Sequence, residues 1–267
     1  MNITVLTNRD LASHIALSRL IDLLSAHRLS IFISEKVGRD LCLPEPLMAL
    51  AAFEKKVIAV SPHCFDALAS KANCELHGFG DISNKVNGPE GIARIQATQP
   101  DVILSIRFGL IIREPIIEMP RYGVINLHSG VLPDYRGVMA SFRAMVNGDA
   151  EIGSTMHFIQ DSGVDTGDIL SIARIPLNTR QSYLLNVLNL YTAGCDQLAS
   201  AVRQLESGAA LQAQAQPQTG EPGYYTFPTD QELAAFFGMG HRLFDPAEID
   251  LIKELQGQTA HNVIKLG

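Results

Sequence analysis

An α/β fold with a mostly parallel central sheet flanked by helices is predicted by three features of the 267-residue sequence. Short β-type runs recur along the chain. Stretches of helical periodicity separate most of them. Several runs are near-continuously apolar, as strands are when helices cover both faces of a sheet.

The strand candidates are Ile3–Leu6, Ser30–Ser34, Val57–Val60, Val102–Ile106, Val124–Leu127, Thr155–Ile159 and Ile169–Ala173. Leu11–Ala26 and Gly88–Thr98 carry helical spacing, and Leu47–Glu54 is ambiguous but compatible with a helix. Residues 183–206 predict one long helix. Leu184, Leu188, Tyr191, Cys195, Leu198, Val202 and Leu205 alternate steps of four and three, forming a single apolar seam. The seam is expected to lie on the sheet. A homodimer seam is the alternative, although three heptads are short for an autonomous coiled coil.

After Gly208 the stretch AALQAQAQPQTGEPG reads as a linker or a peripheral strand. Thr229 or Asp230 is placed to cap a short helix through Phe237. The chain is therefore divided into a main domain, 1–208, and a C-terminal extension, 209–267, too short for an independent domain with a large core.

Hydrophobic residues make up 46%, enough for a sizeable core. The net charge of −7 argues against a protein that holds nucleic acid by its overall field. The four cysteines, Cys42, Cys64, Cys74 and Cys195, lack metal-ligand spacing. They are expected to be reduced and mostly buried, in a cytoplasmic setting without a bound metal. The N-terminus carries no secretory pattern, and no run of about 18 apolar residues suggests a membrane span.

The stretch INLHSGVLPDYRG (125–137) concentrates the chemistry. In a strand, Asn126 and His128 project to the same face. An amide donor beside an imidazole suits a reaction that makes an oxyanion and moves a proton; it equally suits a buried hydrogen-bonded pair. Downstream, GSTMHFIQDSGVDTGDIL (153–170) reads as a strand, a turn-rich loop and another strand. Loops at the carboxyl ends of strands bind ligands in open α/β sheets, so Asp165 is positioned to approach His128. His157 either lines the same cavity or is a satisfied core or rim histidine. Asp168 is expected to cap or turn.

These residues carry a resemblance. Asn126-x-His128, Leu132-Pro133, Tyr135-Arg136-Gly137 and Asp165, which lies 39 residues after Asn126, resemble the 10-formyltetrahydrofolate-dependent formyltransferases. The family includes glycinamide ribonucleotide, methionyl-tRNA and sugar N-formyltransferases. DVILSIRFGLI (101–111) is similar to its strand and folate-pocket loop. One departure is Ser129-Gly130, where the family usually has Pro-Ser.

The resemblance implies a Rossmann-like catalytic domain over 1–208, with Asn126, His128 and Asp165 as catalytic residues and N10-formyltetrahydrofolate as co-substrate. The folate is expected against Phe108, Gly109, Leu110, Ile111 and Ile112, and against Gln160, Asp161 and Val164. Asn8 and Arg9 stand where the acceptor could lie, although a plain surface turn reads as well. Tyr135 and Arg136 are loop anchors or acceptor contacts. Chemically, Asn126 would donate to the oxyanion and His128 would serve as base. Asp165 would orient the imidazole or relay protons through water.

The acceptor is narrowed by departures. LTNRDLASH lacks the glycine-rich phosphate loop of glycinamide ribonucleotide enzymes. The residues after Gly208 hold three Lys/Arg against seven Asp/Glu, a net of −4, unlike the basic tRNA-binding domain. A small-molecule amine remains: a nucleotide-linked amino sugar, or another amine or hydroxylamine metabolite. A 10-formyltetrahydrofolate hydrolase and a non-catalytic folate-binding protein are the rival readings. The intact Asn126, His128 and Asp165 argue against the last.

Overall fold

The computed structural model describes residues 1–34, 43–59, 64–217 and 223–257. Among these, the chain runs β1 (Asn2–Asn8), α1 (Leu11–Leu23), β2 (Arg28–Ser34), α2 (Glu45–Ala59), α3 (Phe65–Lys71), β3 (Leu76–Gly78), α4 (Pro89–Ala97) and β4 (Val102–Ile106). It continues through α5 (Glu114–Ile117), β5 (Val124–His128), β6 (Arg136–Gly137), α6 (Ala140–Asn147), β7 (Glu151–Ile159), β8 (Ile169–Pro176) and α7 (Tyr183–Glu206). The extension supplies β9 (Tyr224–Tyr225), α8 (Asp230–Gly238) and α9 (Ile249–Gly257).

Seven strands form one sheet in the order β3-β2-β1-β4-β5-β7-β8. The first five are parallel to their neighbours; β7 and β8 add as antiparallel strands. The predicted mostly parallel α/β sheet is observed. Its order reverses direction between β1 and β4, the crevice where such sheets place ligands.

One strand expectation is corrected. The strand expected at Val57–Val60 is not formed: residues through Ala59 belong to α2, and Val60 lies outside the described residues. Leu47, Leu50 and Val57 are the buried positions of that helix. A four-residue apolar run looks alike in a buried strand and a helix end. The third strand is instead Leu76–Gly78, too short to carry a readable alternation.

Helix α7 fulfils the seam expectation in its intramolecular form. Leu188, Tyr191, Cys195, Leu198 and Val202 are each no more than 1% exposed, within the same core as α1 and the sheet. The seam is used up inside the chain and offers no dimer surface. Among the described cysteines, Cys195 is buried, Cys74 half-buried and Cys64 exposed, so "mostly buried" overstates the case; Cys42 lies outside the described residues.

The extension packs into the main core. Of the two candidate caps, Thr229 takes the position at α8, in a reciprocal capping box with Glu232. Phe236 is fully buried and stacks on Phe142 of α6 at 4.6 Å. Arg143 pairs with Glu232, donates to Thr226 O at 3.1 Å and lies over Tyr225 at 5.0 Å. Glu248 accepts from Ser182 N at 2.8 Å and from its hydroxyl, bonding α7's N-terminus to the extension.

Candidate active site

Strand β5 ends in Asn126 and His128, and β7 runs antiparallel beside it with Asn126 opposite His157 and His128 opposite Thr155. Cross-strand partners share a sheet face. Three chemistry-bearing side chains therefore converge from two strands. The turn after β7 adds Asp165, whose φ of +54° is left-handed, a conformation Asp tolerates better than most residues.

The Asp165 carboxylate bridges two imidazoles. Oδ2 lies 3.5 Å from His128 Nδ1, and Oδ1 lies 3.4 Å from His157 Nε2. Gly137 N donates to Oδ2 at 2.8 Å. Burial opposes ionisation of this carboxyl, but His128, His157 and the Gly137 N–H outweigh it and hold the pKa down at about 2.

His128 Nε2 donates to Tyr135 O at 2.6 Å. Its other nitrogen faces Asp165, so the ring satisfies both contacts only when it carries two protons. That contact also accounts for the Ser129-Gly130 departure. A Cβ on Gly130 would stand 2.6 Å from His128 Nε2, 2.9 Å from Tyr135 O and 2.4 Å from Ala140 Cβ. Glycine lets the loop fold back over the ring. Thr155 fixes the loop further, donating to Gly130 O at 2.6 Å and accepting from Leu132 N at 3.1 Å.

His157 is the member that the sequence left undecided. Its Nδ1 donates to Phe158 O at 2.8 Å, and its Nε2 lies 3.0 Å from Asn126 Nδ2. A neutral His157 accepts from the Asn126 amide; a protonated one donates to Asp165 instead. The orientation of the Asn126 amide is thereby coupled to the state of His157. The signal for this is the antiparallel register of β5 and β7, which the sequence does not display.

The remaining predicted residues fall into separate groups. Phe108, Gly109, Leu110, Ile111 and Ile112 form the loop after β4: Ile112 is 3% exposed, Ile111 is 52% exposed, and Phe108 meets Phe79 edge-on at 6.0 Å. Asn87 clamps this loop, donating to Ile111 O at 2.7 Å and accepting from Arg113 N at 2.9 Å. Gln160 closes the base of the Asp165 turn by a reciprocal pair with Asp168, at 2.8 and 3.0 Å. Asp161 accepts from Gly163 N at 2.7 Å, and Val164 is half-buried beside Asp165.

Tyr135 turns its hydroxyl to Asp149 at 2.6 Å; burial, then that carboxylate, push the phenol up to about 12. Arg136 donates to Gln216 at 2.9 Å. Both side chains are therefore tied to protein groups as loop anchors.

Asn8 and Arg9 lie at the end of β1, which β4 separates from β5. Asn8 donates to Asp10 at 3.2 Å, and Asp10 in turn accepts from Arg107 at 2.9 and 3.0 Å. Burial, then Asp10, push the carboxyl of nearby Glu54 upward. Arg9 lines a cleft of about 520 Å³ with Ile33, His77, Phe79, Asp81 and Arg94 at the ends of β2 and β3. The structure does not bring Asn8 or Arg9 into the Asn126, His128 and Asp165 cluster. No group of three or more potential metal ligands occurs among the described residues.

A sequence profile of the family described as formyl transferase matches residues 57–184, a span that contains Asn126, His128, His157 and Asp165. The methionyl-tRNA formyltransferase of Hydrogenovibrio crunogenus is 35% identical over 119 residues, 45% of this chain and 38% of that protein. That of Halothermothrix orenii is 30% identical over 151 residues, 57% of this chain and 46% of that protein. The chain thus spans less than half the length of these curated relatives. Among solved structures, glycinamide ribonucleotide transformylase 1 from Symbiobacterium toebii superposes with a TM-score of 0.58 at 17% identity, covering 80% of this chain and 93% of that one. An N-formyltransferase from Helicobacter canadensis, in complex with folinic acid and dTDP-3-aminofucose, gives 0.55 at 17% identity, covering 87% and 72%. At such identities the formyl transferase fold is what these neighbours share with this chain.

Proposed function

We propose that this chain is an N-formyltransferase that moves a formyl group from N10-formyltetrahydrofolate to a primary amine of a small molecule. The observation that carries the reading is the approach of Asp165 to within 3.5 Å of His128, inside the segment that matches the formyl transferase family.

In this reaction the acceptor nitrogen attacks the formyl carbon, and the carbonyl oxygen gains negative charge. The bond to N10 then breaks as N10 gains a proton and the acceptor loses one. Asn126 supplies an amide N–H to the developing oxyanion, a contact worth about 3–4 kcal/mol in comparable sites. His128 stands on the same face of β5, with a contact on each ring nitrogen. A carboxylate held near 2 is a weak base, so Asp165 orients the imidazoles and balances their charge. Proton movement falls to the imidazoles, the side chains whose ordinary titration range lies near neutrality. Phe108–Ile112, before Asn126 in sequence, and Gln160–Val164, between His157 and Asp165, are our choice for the folate contacts.

A nucleotide-linked amino sugar is the acceptor we favour. The net charge of −4 over residues 209–267 disfavours a tRNA backbone, and the absence of glycine from LTNRDLASH disfavours backbone cradling of a phosphate there. The test is a panel of nucleotide-linked amino sugars, free amines and hydroxylamines with N10-formyltetrahydrofolate, read by tetrahydrofolate release and mass spectrometry of the product. Formylated amino sugar supports the reading. Formate release independent of any amine would replace it with hydrolysis, and release only with methionyl-tRNA would overturn the acceptor class.

A further inference from the structure

The turn that presents Asp165 is held from behind by the C-terminal extension. Gln216 Nε2 donates to Asp165 O at 2.9 Å and to Gly167 O at 2.7 Å. Its Oε1 accepts from Arg136 Nη2 at 2.9 Å. Arg136 is followed by Gly137, whose N–H reaches the Asp165 carboxylate at 2.8 Å. The contacts close a ring: Gln216 to the backbone of the turn, the carboxylate of the turn to β6, and β6 back to Gln216. Both amide protons and the amide oxygen of Gln216 are engaged.

The same extension fixes β6 from its other side. Arg136 and Gly137 pair in parallel with Tyr224 and Tyr225. The approach is close enough that a Cβ on Gly137, at φ +91°, would meet Tyr225 O at 2.2 Å. Asp165 itself holds φ +54°. A non-glycine residue keeps that conformation where its surroundings over-determine it. Here two backbone carbonyls, one on each side of Thr166, are tied to a single side chain.

We propose that Gln216 is a positioning residue for the reaction: it sets the Asp165 carboxylate between His128 and His157 while touching neither imidazole. The inference rests on the functional reading above for its catalytic meaning, but its geometry concerns the protein alone. It also gives the extension a part in the site, since neither Gln216 nor Tyr224–Tyr225 lies within the 57–184 segment.

The test uses the full chain labelled with ¹⁵N. Long-range proton–nitrogen spectra follow the His128 and His157 rings against pH in the wild type, in Gln216→Ala and in the near-isosteric Gln216→Met. The charged group facing both rings is Asp165; the other contacts are the Asn126 amide and the carbonyls of Tyr135 and Phe158. A carboxylate beside an imidazole favours the charged ring. When the turn drifts, the His128 midpoint is expected to fall by about 0.5 pH units or more, roughly threefold in the protonation equilibrium. Where an acceptor has been found, kcat falls at least about tenfold while KM for N10-formyltetrahydrofolate stays within about twofold.

A folded Gln216→Met chain with an unmoved His128 midpoint overturns the proposal. Should alanine prevent folding, methionine carries the measurement, because it keeps the volume and deletes only the hydrogen bonds. The titration needs no acceptor. A wild type that formylates nothing therefore counts against the functional reading and leaves the positioning role to the spectra.

Discussion

Replacing Asp165 by Asn tests whether its charge is held by the site. The native carboxyl titrates at about 2 against an ordinary 3.8. At about 1.4 kcal/mol per pKa unit, that difference is roughly 2 kcal/mol of folding stability. The native value is depressed, so the stability is fully present above the unfolded value and is lost as pH falls toward the native one. Linkage gives about 1 kcal/mol lost between pH 5 and pH 3, with the remainder gone below pH 2. The assay is urea unfolding followed by circular dichroism on wild type and Asp165→Asn at pH 5, 4 and 3. The difference between the two proteins is expected to shrink by about 1 kcal/mol across that range. A difference that stays constant, or widens, would refute the claim that His128, His157 and Gly137 N–H hold the anion.

Three further outcomes follow from the same geometry. His128→Ala is expected to fold with a lowered thermal midpoint, because Asp165 and Tyr135 O each lose a partner, and to lose at least about 10²-fold in turnover, measured by tetrahydrofolate release. Gly130→Ala forces a methyl against His128, Tyr135 and Ala140; it is expected to cost about 1–3 kcal/mol by denaturant unfolding and to perturb the His128 ring signals. Arg143→Ala removes the partner of Glu232 and the cation over Tyr225, so a loss of about 2–3 kcal/mol is expected. Amide exchange should show α8 loosening first. Uniform protection across α8 in that variant would mean the Phe142–Phe236 stack holds the extension unaided.

Much of this site was legible because strands alternate. Asn126 and His128 are two residues apart in an apolar run, which alone puts them on one face. The α7 seam and the Thr229 cap were legible for the same kind of reason: helix periodicity and capping are local. Val57–Val60 was misread because four apolar residues carry no period. Leu76–Gly78 was missed because three residues carry no pattern at all.

By itself, then, the amino-acid order determined most of the element types, the sheet class, the pairing of amide and imidazole, and the turn that holds Asp165. Those follow from contacts within a few residues along the chain. Tertiary structure decided three other matters: that His157 faces Asn126, that His128 turns Nε2 to Tyr135 O, and that Gln216 from the extension grips the Asp165 turn. Each depends on the register of an antiparallel pair or on a hydrogen bond spanning a loop or distant segments. No local periodicity encodes those distances, because they are set only when the sheet closes and the core chooses which polar groups must find one another.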